Sequence, residues 1–174
     1  MTIAELLADA FGRIRGTVHG AVDGLTPGQL AFRPESGSNS IAWLVWHLTR
    51  IQDDHIADVA GTGQVWTAGA SGSTWADRFG LPFAAAATGY GQGSEAVAAV
   101  QVRSGELLTG YYDAVHAETL NYIQELTDSD LDRIVDKAWD PPVTLGVRLV
   151  SVISDDLQHA GQAAYLRGVI ARTS

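Results

Sequence analysis

The chain has 174 residues, 46% of them hydrophobic and 18% charged, with a formal net charge of -9. This is the composition of a folded globular protein long enough to bury one continuous core, so a single domain over residues 1–174 is expected. The acidic balance leaves no Lys/Arg cluster to displace counterions from a phosphate backbone, which argues against a nucleic-acid partner despite five Trp.

No apolar run approaches the roughly 20 residues of a membrane span. The start Met1-Thr2-Ile3-Ala4-Glu5 lacks the pattern of a signal peptide, so a cytoplasmic protein without membrane attachment is expected. There is no cysteine, which excludes disulfides, thiolate zinc sites and a thiol nucleophile of the chain's own. Any thiol chemistry would need sulfur supplied by another molecule. Lys137 is the single Lys among eleven basic residues, and Ala and Gly abound, a bias that suits a high-GC, actinobacterial genome.

In chain order, apolar residues at Ile3, Leu6, Leu7, Ala10, Phe11, Ile14, Val18 and Val22 have helical spacing. Leu25-Thr26-Pro27-Gly28 breaks that pattern, and Thr26 before Pro27 predicts a short turn through Leu30. Ser38, Asn39 and Ser40 offer caps for a second helix carrying Ile41, Leu44, Val45, Leu48, Ile51 and Ile56, which Gly61 stops. Residues 61–94 form a long Gly- and Ala-rich connection containing Trp66, Trp75, Phe79, Phe83 and Tyr90, a pattern expected of a functional loop or lid. Ser94-Glu95 predicts a third long helix to about Leu126, and Thr127-Asp128-Ser129-Asp130-Leu131 a second short turn. Pro141 and Pro142 mark a break, and Thr144 caps a fourth helix running to near Arg172. No internal repeat and no strong strand alternation is visible. The expected fold is all-α, a four-helix bundle with a long loop between helices 2 and 3.

Two polar clusters interrupt this pattern. Asp155 and His159 are four residues apart on the last helix, so a carboxylate oxygen and an imidazole nitrogen point from one face toward a common position. His47, which by itself reads as a core histidine, could supply a third donor from the second helix. Three protein donors and one open position characterise a catalytic divalent metal, whereas a structural zinc takes four. Asp156 lies nearer the centre of the apolar stripe of the last helix and competes with Asp155 as ligand, since a spacing of three also chelates. Gln162 could orient a ligand. His55 is about 12 Å along the helix from His47, too far to share one ion. His19 and His116 read as structural or surface residues, Asp53 and Asp54 as solvated or as acceptors behind a ligand, and Trp43 and Trp46 as core.

The run Asn39-Ser40-Ile41-Ala42-Trp43-Leu44-Val45-Trp46-His47-Leu48, followed about a hundred residues later by Asp155 and His159-Ala160-Gly161-Gln162, resembles the DinB/YfiT-like superfamily. Within it the chain resembles the thiol-dependent S-transferases related to mycothiol-dependent maleylpyruvate isomerase. The resemblance includes the Leu25-Thr26-Pro27-Gly28-Gln29-Leu30 turn and the closing Tyr165-Leu166-Arg167-Gly168. It implies a four-helix bundle holding a divalent metal, often zinc or nickel, with His47, Asp155 and His159 as ligands acting catalytically through the metal. The family has His or Glu where this chain has Asp155, which is shorter than Glu by one methylene. The implied function is a detoxifying S-transferase that turns a low-molecular-weight thiol, mycothiol for this genome type, into a thiolate that attacks small electrophiles. Arg50 and Arg103 are candidate anchors for an anionic thiol or substrate, in a pocket between the metal end and the 61–94 loop. A homodimer is compatible with the resemblance. The alternatives are a hydrolase that uses the metal to activate water, and a non-catalytic, stress-related bundle that binds metal or an apolar ligand.

Overall fold

A computed structural model describes residues 1–69 and 72–173; positions 70–71 of the expected long loop lie outside the described residues. Helix α1 (Ile3–Val22) opens on a reciprocal cap, in which Thr2 Oγ1 accepts from Glu5 N and the Glu5 carboxylate accepts from Thr2 N. Its apolar stripe buries Leu7, Phe11, Ile14 and Val18. The short α2 (Pro27–Leu30) is capped in the same way by Thr26. Helix α3 (Ile41–Ala60) starts at Ser40, whose hydroxyl accepts from Trp43 N, and stops at Gly61 with φ +68°, a left-handed position that glycine occupies without strain.

After α3 come α4 (Trp75–Phe79), α5 (Ser94–Ala99), α6 (Gly105–Ile123), a 3-10 turn at Asp128–Asp132, strands β1 (Ile134–Asp136) and β2 (Val143–Thr144), and α7 (Leu145–Thr173). Helices α1 and α3 each pack against both α6 and α7, which makes α1, α3, α6 and α7 the four long members of a bundle. Helix α3 runs parallel to α6, because Asp53 meets Tyr111 and Val59 meets Tyr122, and antiparallel to α7, because His47 meets His159 and His55 meets Arg148. Parallel neighbours need a connection that crosses the full bundle length, and this accounts for the long segment between them.

One expectation is corrected. The third helix is not continuous: Val100 turns into an extended conformation, and Val100 and Val102 are both buried with a period of two before α6 begins. Gly105 then packs so tightly on α1 that a Cβ there would lie 2.6 Å from Val22 Cγ1. The expected all-α bundle is what the chain forms, with one small addition, the antiparallel hairpin of β1 and β2 before α7. Among the described residues no helix is long and apolar enough to cross a membrane.

Candidate metal centre

His47 sits one and a half turns into α3 and is 5% exposed. Trp43, one turn earlier, stacks on its ring at 4.6 Å between centroids. Its Nδ1 lies 2.6 Å from the Thr88 carbonyl, which can only accept, so the ring proton is on Nδ1 and Nε2 keeps its lone pair. On the facing helix α7, the His159 ring meets the His47 ring edge-on at 4.9 Å, and His159 Nδ1 is 3.1 Å from Gln162 Oε1. With that proton donated to Gln162, Nε2 of His159 is the second available donor atom. Asp155 Oδ1 lies 3.6 Å from it.

One donor atom from each of His47, Asp155 and His159 lies within 4.8 Å of the other two, so the group could hold a metal ion. The chemistry of the set fits a divalent cation. Both imidazoles have their other nitrogen committed to an acceptor, the usual arrangement behind metal-bound histidine. Asp155 Oδ2 is sealed from solvent and has no hydrogen-bond partner, a costly state for a carboxylate that a cation would relieve.

Residues 10–163 match the family described as the DinB superfamily. The chain belongs to the DinB superfamily. A crystal structure of a conserved protein from Enterococcus faecalis is similar over 96% of both chains, with a TM-score of 0.87 and 29% sequence identity. No curated protein matches the chain significantly. Superfamily members often bind metal, in keeping with the His/Asp/His group of this DinB chain.

Two of the three DinB site residues already favour the charge state that binds a metal. Burial pushes the His47 pKa down and keeps it neutral. The hydrogen bond that protonated His159 donates to the Asp155 carboxylate raises the His159 pKa against the opposing effect of its burial. Asp155 is pushed up by burial, but His159 outweighs this and holds it below the usual carboxylate value. Below the His159 pKa a metal must therefore displace a proton from that ring, while His47 is already neutral. Zinc affinity is expected to weaken about tenfold per pH unit below the His159 pKa and to level off above it. Competition with a chromophoric chelator between about pH 5.5 and 8 measures this, and a slope of two protons would contradict it.

The donor atoms that the fold brings together are those of His47, Asp155 and His159, and Asp156, the alternative ligand, is not among them. It is 0% exposed, on the inward face of α7, with neither carboxylate oxygen partnered, and burial pushes its pKa well up. A carboxyl whose folded pKa lies above its unfolded value leaves stability intact below the unfolded pKa and removes it as pH rises. Asp156→Asn is therefore expected to stabilise by about 1–3 kcal/mol at neutral pH and by little near pH 4, as read by urea unfolding at both.

The metal group is held from behind by the long connection. Along α3, Trp43 Nε1 donates to Gln92 Oε1 at 2.9 Å, His47 to Thr88 O, and Arg50 Nε to Ala87 O at 3.1 Å. Asp53 accepts from Val65 N and Trp66 N, each at 2.8 Å. One helix stripe thus pins both ends of the segment, and Trp66 and Phe79 bury beneath it. This settles Trp66 as packing rather than lid. Gly89 closes the arrangement: its φ is +95°, and a Cβ would lie 2.7 Å from His47 Nδ1. Gly89→Ala is expected to weaken zinc binding by about tenfold or more with all three donors intact, read by the same competition titration.

Neither arginine offered as an anchor is brought to the metal group. Arg50 is 0% exposed and bonded to Ala87 O, Asp53 and Tyr111, with its guanidinium 5.2 Å from the Trp66 ring centre. Arg103 is exposed in the turn between α5 and α6. His19 pairs with Asp113 across α1 and α6, His116 is buried against Tyr112, and His55 bonds Arg148 of α7. Sequence reasoning missed Thr88, its neighbour Gly89, and Arg148, because nothing local marks a residue as the partner of a histidine 41 or 93 positions away.

Proposed function

We propose that this DinB protein is a metal-dependent S-transferase that holds a divalent cation, zinc or nickel, on His47, Asp155 and His159. It would act on small electrophiles with a low-molecular-weight thiol, mycothiol by the genome bias. The observation that carries this reading is the partnerless, solvent-sealed Asp155 oxygen beside two histidines whose other nitrogens are already engaged, in a chain with no cysteine. A cation bound there lowers the pKa of a coordinated thiol enough to supply a thiolate near neutral pH.

The chain's own residues prepare that event. Thr88 and Gln162 fix which nitrogen each histidine presents, and three donors rather than four leave room for an external group. Trp43 and the Thr88–Gly89 backbone cover His47 and exclude water from one side. Neutral His47 and anionic Asp155 together offset only part of a divalent charge, which favours an anionic sulfur as the further ligand.

Zinc-loaded protein mixed with mycothiol and monochlorobimane tests the reading. Conjugation, in which an S–C bond forms as chloride leaves and the thiol proton passes to solvent, is expected to require both metal and thiol. Hydrolytic turnover of ester or amide substrates without thiol would replace it with the water-activating reading, and no turnover in either assay with a non-catalytic metal-binding one.

A further inference from the structure

Beside the metal group, a cleft of about 520 Å3 opens between α3, α7, the Thr88–Tyr90 segment and the hairpin. Ile51 on its wall is one turn beyond His47, and Ser151 one turn before Asp155, roughly 6 Å along each helix axis. Thr88, which orients His47, is on its rim. A molecule in the cleft would lie against the same backbone that sets the metal group.

Its walls are apolar and unusually bare. Trp139 is 67% exposed, Tyr90 89% and Val147 56%, and all three face this one opening. Scattered exposed apolar side chains are ordinary, but their convergence on a cleft marks a binding surface. The polar groups are few and mostly engaged. Arg148 Nη1 donates to His55 Nδ1 at 2.5 Å, which places the ring proton of His55 on Nε2. That N–H has no hydrogen-bond partner among the described residues and is not sealed from solvent. Arg148 Nη2 is bound to Asp136 at 3.1 Å, so the guanidinium charge is matched. Asp54 accepts from the neutral Gln64 amide, so its charge is not. Two carboxylates face one guanidinium in a chain of net charge -9, which is a poor setting for an anion.

We propose that this cleft binds the second substrate and selects uncharged molecules that combine a flat apolar body with a carbonyl-type acceptor oxygen. The body stacks against Trp139 and Tyr90, and the oxygen accepts the His55 Nε2 proton in a hydrogen bond. Naming the occupant as the electrophile rests on the transferase reading; the binding preference rests on the cleft alone.

Three unreactive probes test it: 2-acetylnaphthalene, 2-ethylnaphthalene and 2-naphthalenesulfonate, which share one fused ring and differ in carrying a carbonyl, no acceptor or an anion. They are titrated by calorimetry into zinc-loaded protein without thiol. The acetyl compound is expected to bind about tenfold tighter than the sulfonate and several-fold tighter than the ethyl compound. Trp139→Ala is expected to weaken both uncharged probes about fivefold, and its exposure makes it safe for folding. His55→Phe should remove the advantage of the acetyl probe over the ethyl one. Equal or tighter binding of the sulfonate, or affinities unmoved by Trp139→Ala, overturns the assignment. No turnover enters the measurement, so a protein inert toward thiols can still show this order. A working transferase that binds the three probes alike loses only the cleft assignment.

Discussion

Replacing His47 by alanine is expected to reduce bound zinc from about one equivalent per chain to under about a tenth after dialysis, as read by elemental analysis. The two donors that remain, Asp155 and His159, stand on one helix, and their mutual ion pair at 3.6 Å becomes the better use of both. Losing one of three donors costs on the order of 3–4 kcal/mol, a loss of affinity of two to three orders of magnitude. Under the proposed transferase function, thiol conjugation should fall at least about hundredfold with it, since the thiol would be activated only through the metal. His47→Ala also removes a buried ring packed on Trp43, so unfolding is measured in parallel. Full metal content in a folded His47→Ala protein would remove the basis of the metal centre and of the activity proposed for it.

Asp53→Ala should produce the largest loss of stability, about 3–5 kcal/mol, because it leaves a buried charge without its counterion. Arg50 is 0% exposed and Asp53 3% exposed, so neither charge can turn to solvent. The same carboxylate accepts from Val65 N, Trp66 N and the Tyr111 hydroxyl, the last at 2.7 Å. Burial pushes the Asp53 pKa up against these bonds, so the site works at a desolvation cost that only its full set of partners offsets. For a chain of this length each kcal/mol lowers the melting temperature by about 2–4 °C, which puts the expected fall near 10 °C or more. Urea unfolding of the variant measures it, and a change under about 1 kcal/mol would show the cluster to be dispensable. Zinc binding should weaken as well, because the segment that Asp53 ties down carries Thr88 to His47.

The helix boundaries were legible where a few neighbouring residues determine them. Thr2 with Glu5, Thr26 with Gln29, and Ser40 before Ile41 close hydrogen bonds within one turn, and Gly61 supplies a left-handed stop. The pairing of Asp155 with His159 is legible for the same reason, since a spacing of four puts both on one face whatever surrounds the helix. The packing of α3 against α7 alone decided that His47 joins them.

The choice between Asp155 and Asp156 shows where such reasoning stops. Adjacent residues differ by about 100° around a helix, and the apolar pattern centred the stripe near Asp156. Only the packing of α1 and α3 against α7 turns Asp156 into the sealed interior and leaves Asp155 at the edge beside His47. Arg50 followed the same logic in reverse: a cation on a helix reads as available, and it is buried because a segment 37 residues later folds over it. The break before α6 depends on where Val22 stands, and β1 and β2, at three and two residues, are too short to carry a period. The sequence by itself determined the presence of four long helices, the caps of α1, α2 and α3 and the two clusters of donor atoms, because those depend on bonds closed within about four residues. The tertiary structure decided which donors meet, which charges are sealed and where the cleft opens, because these depend on which helix faces are brought together and on the segment laid across them.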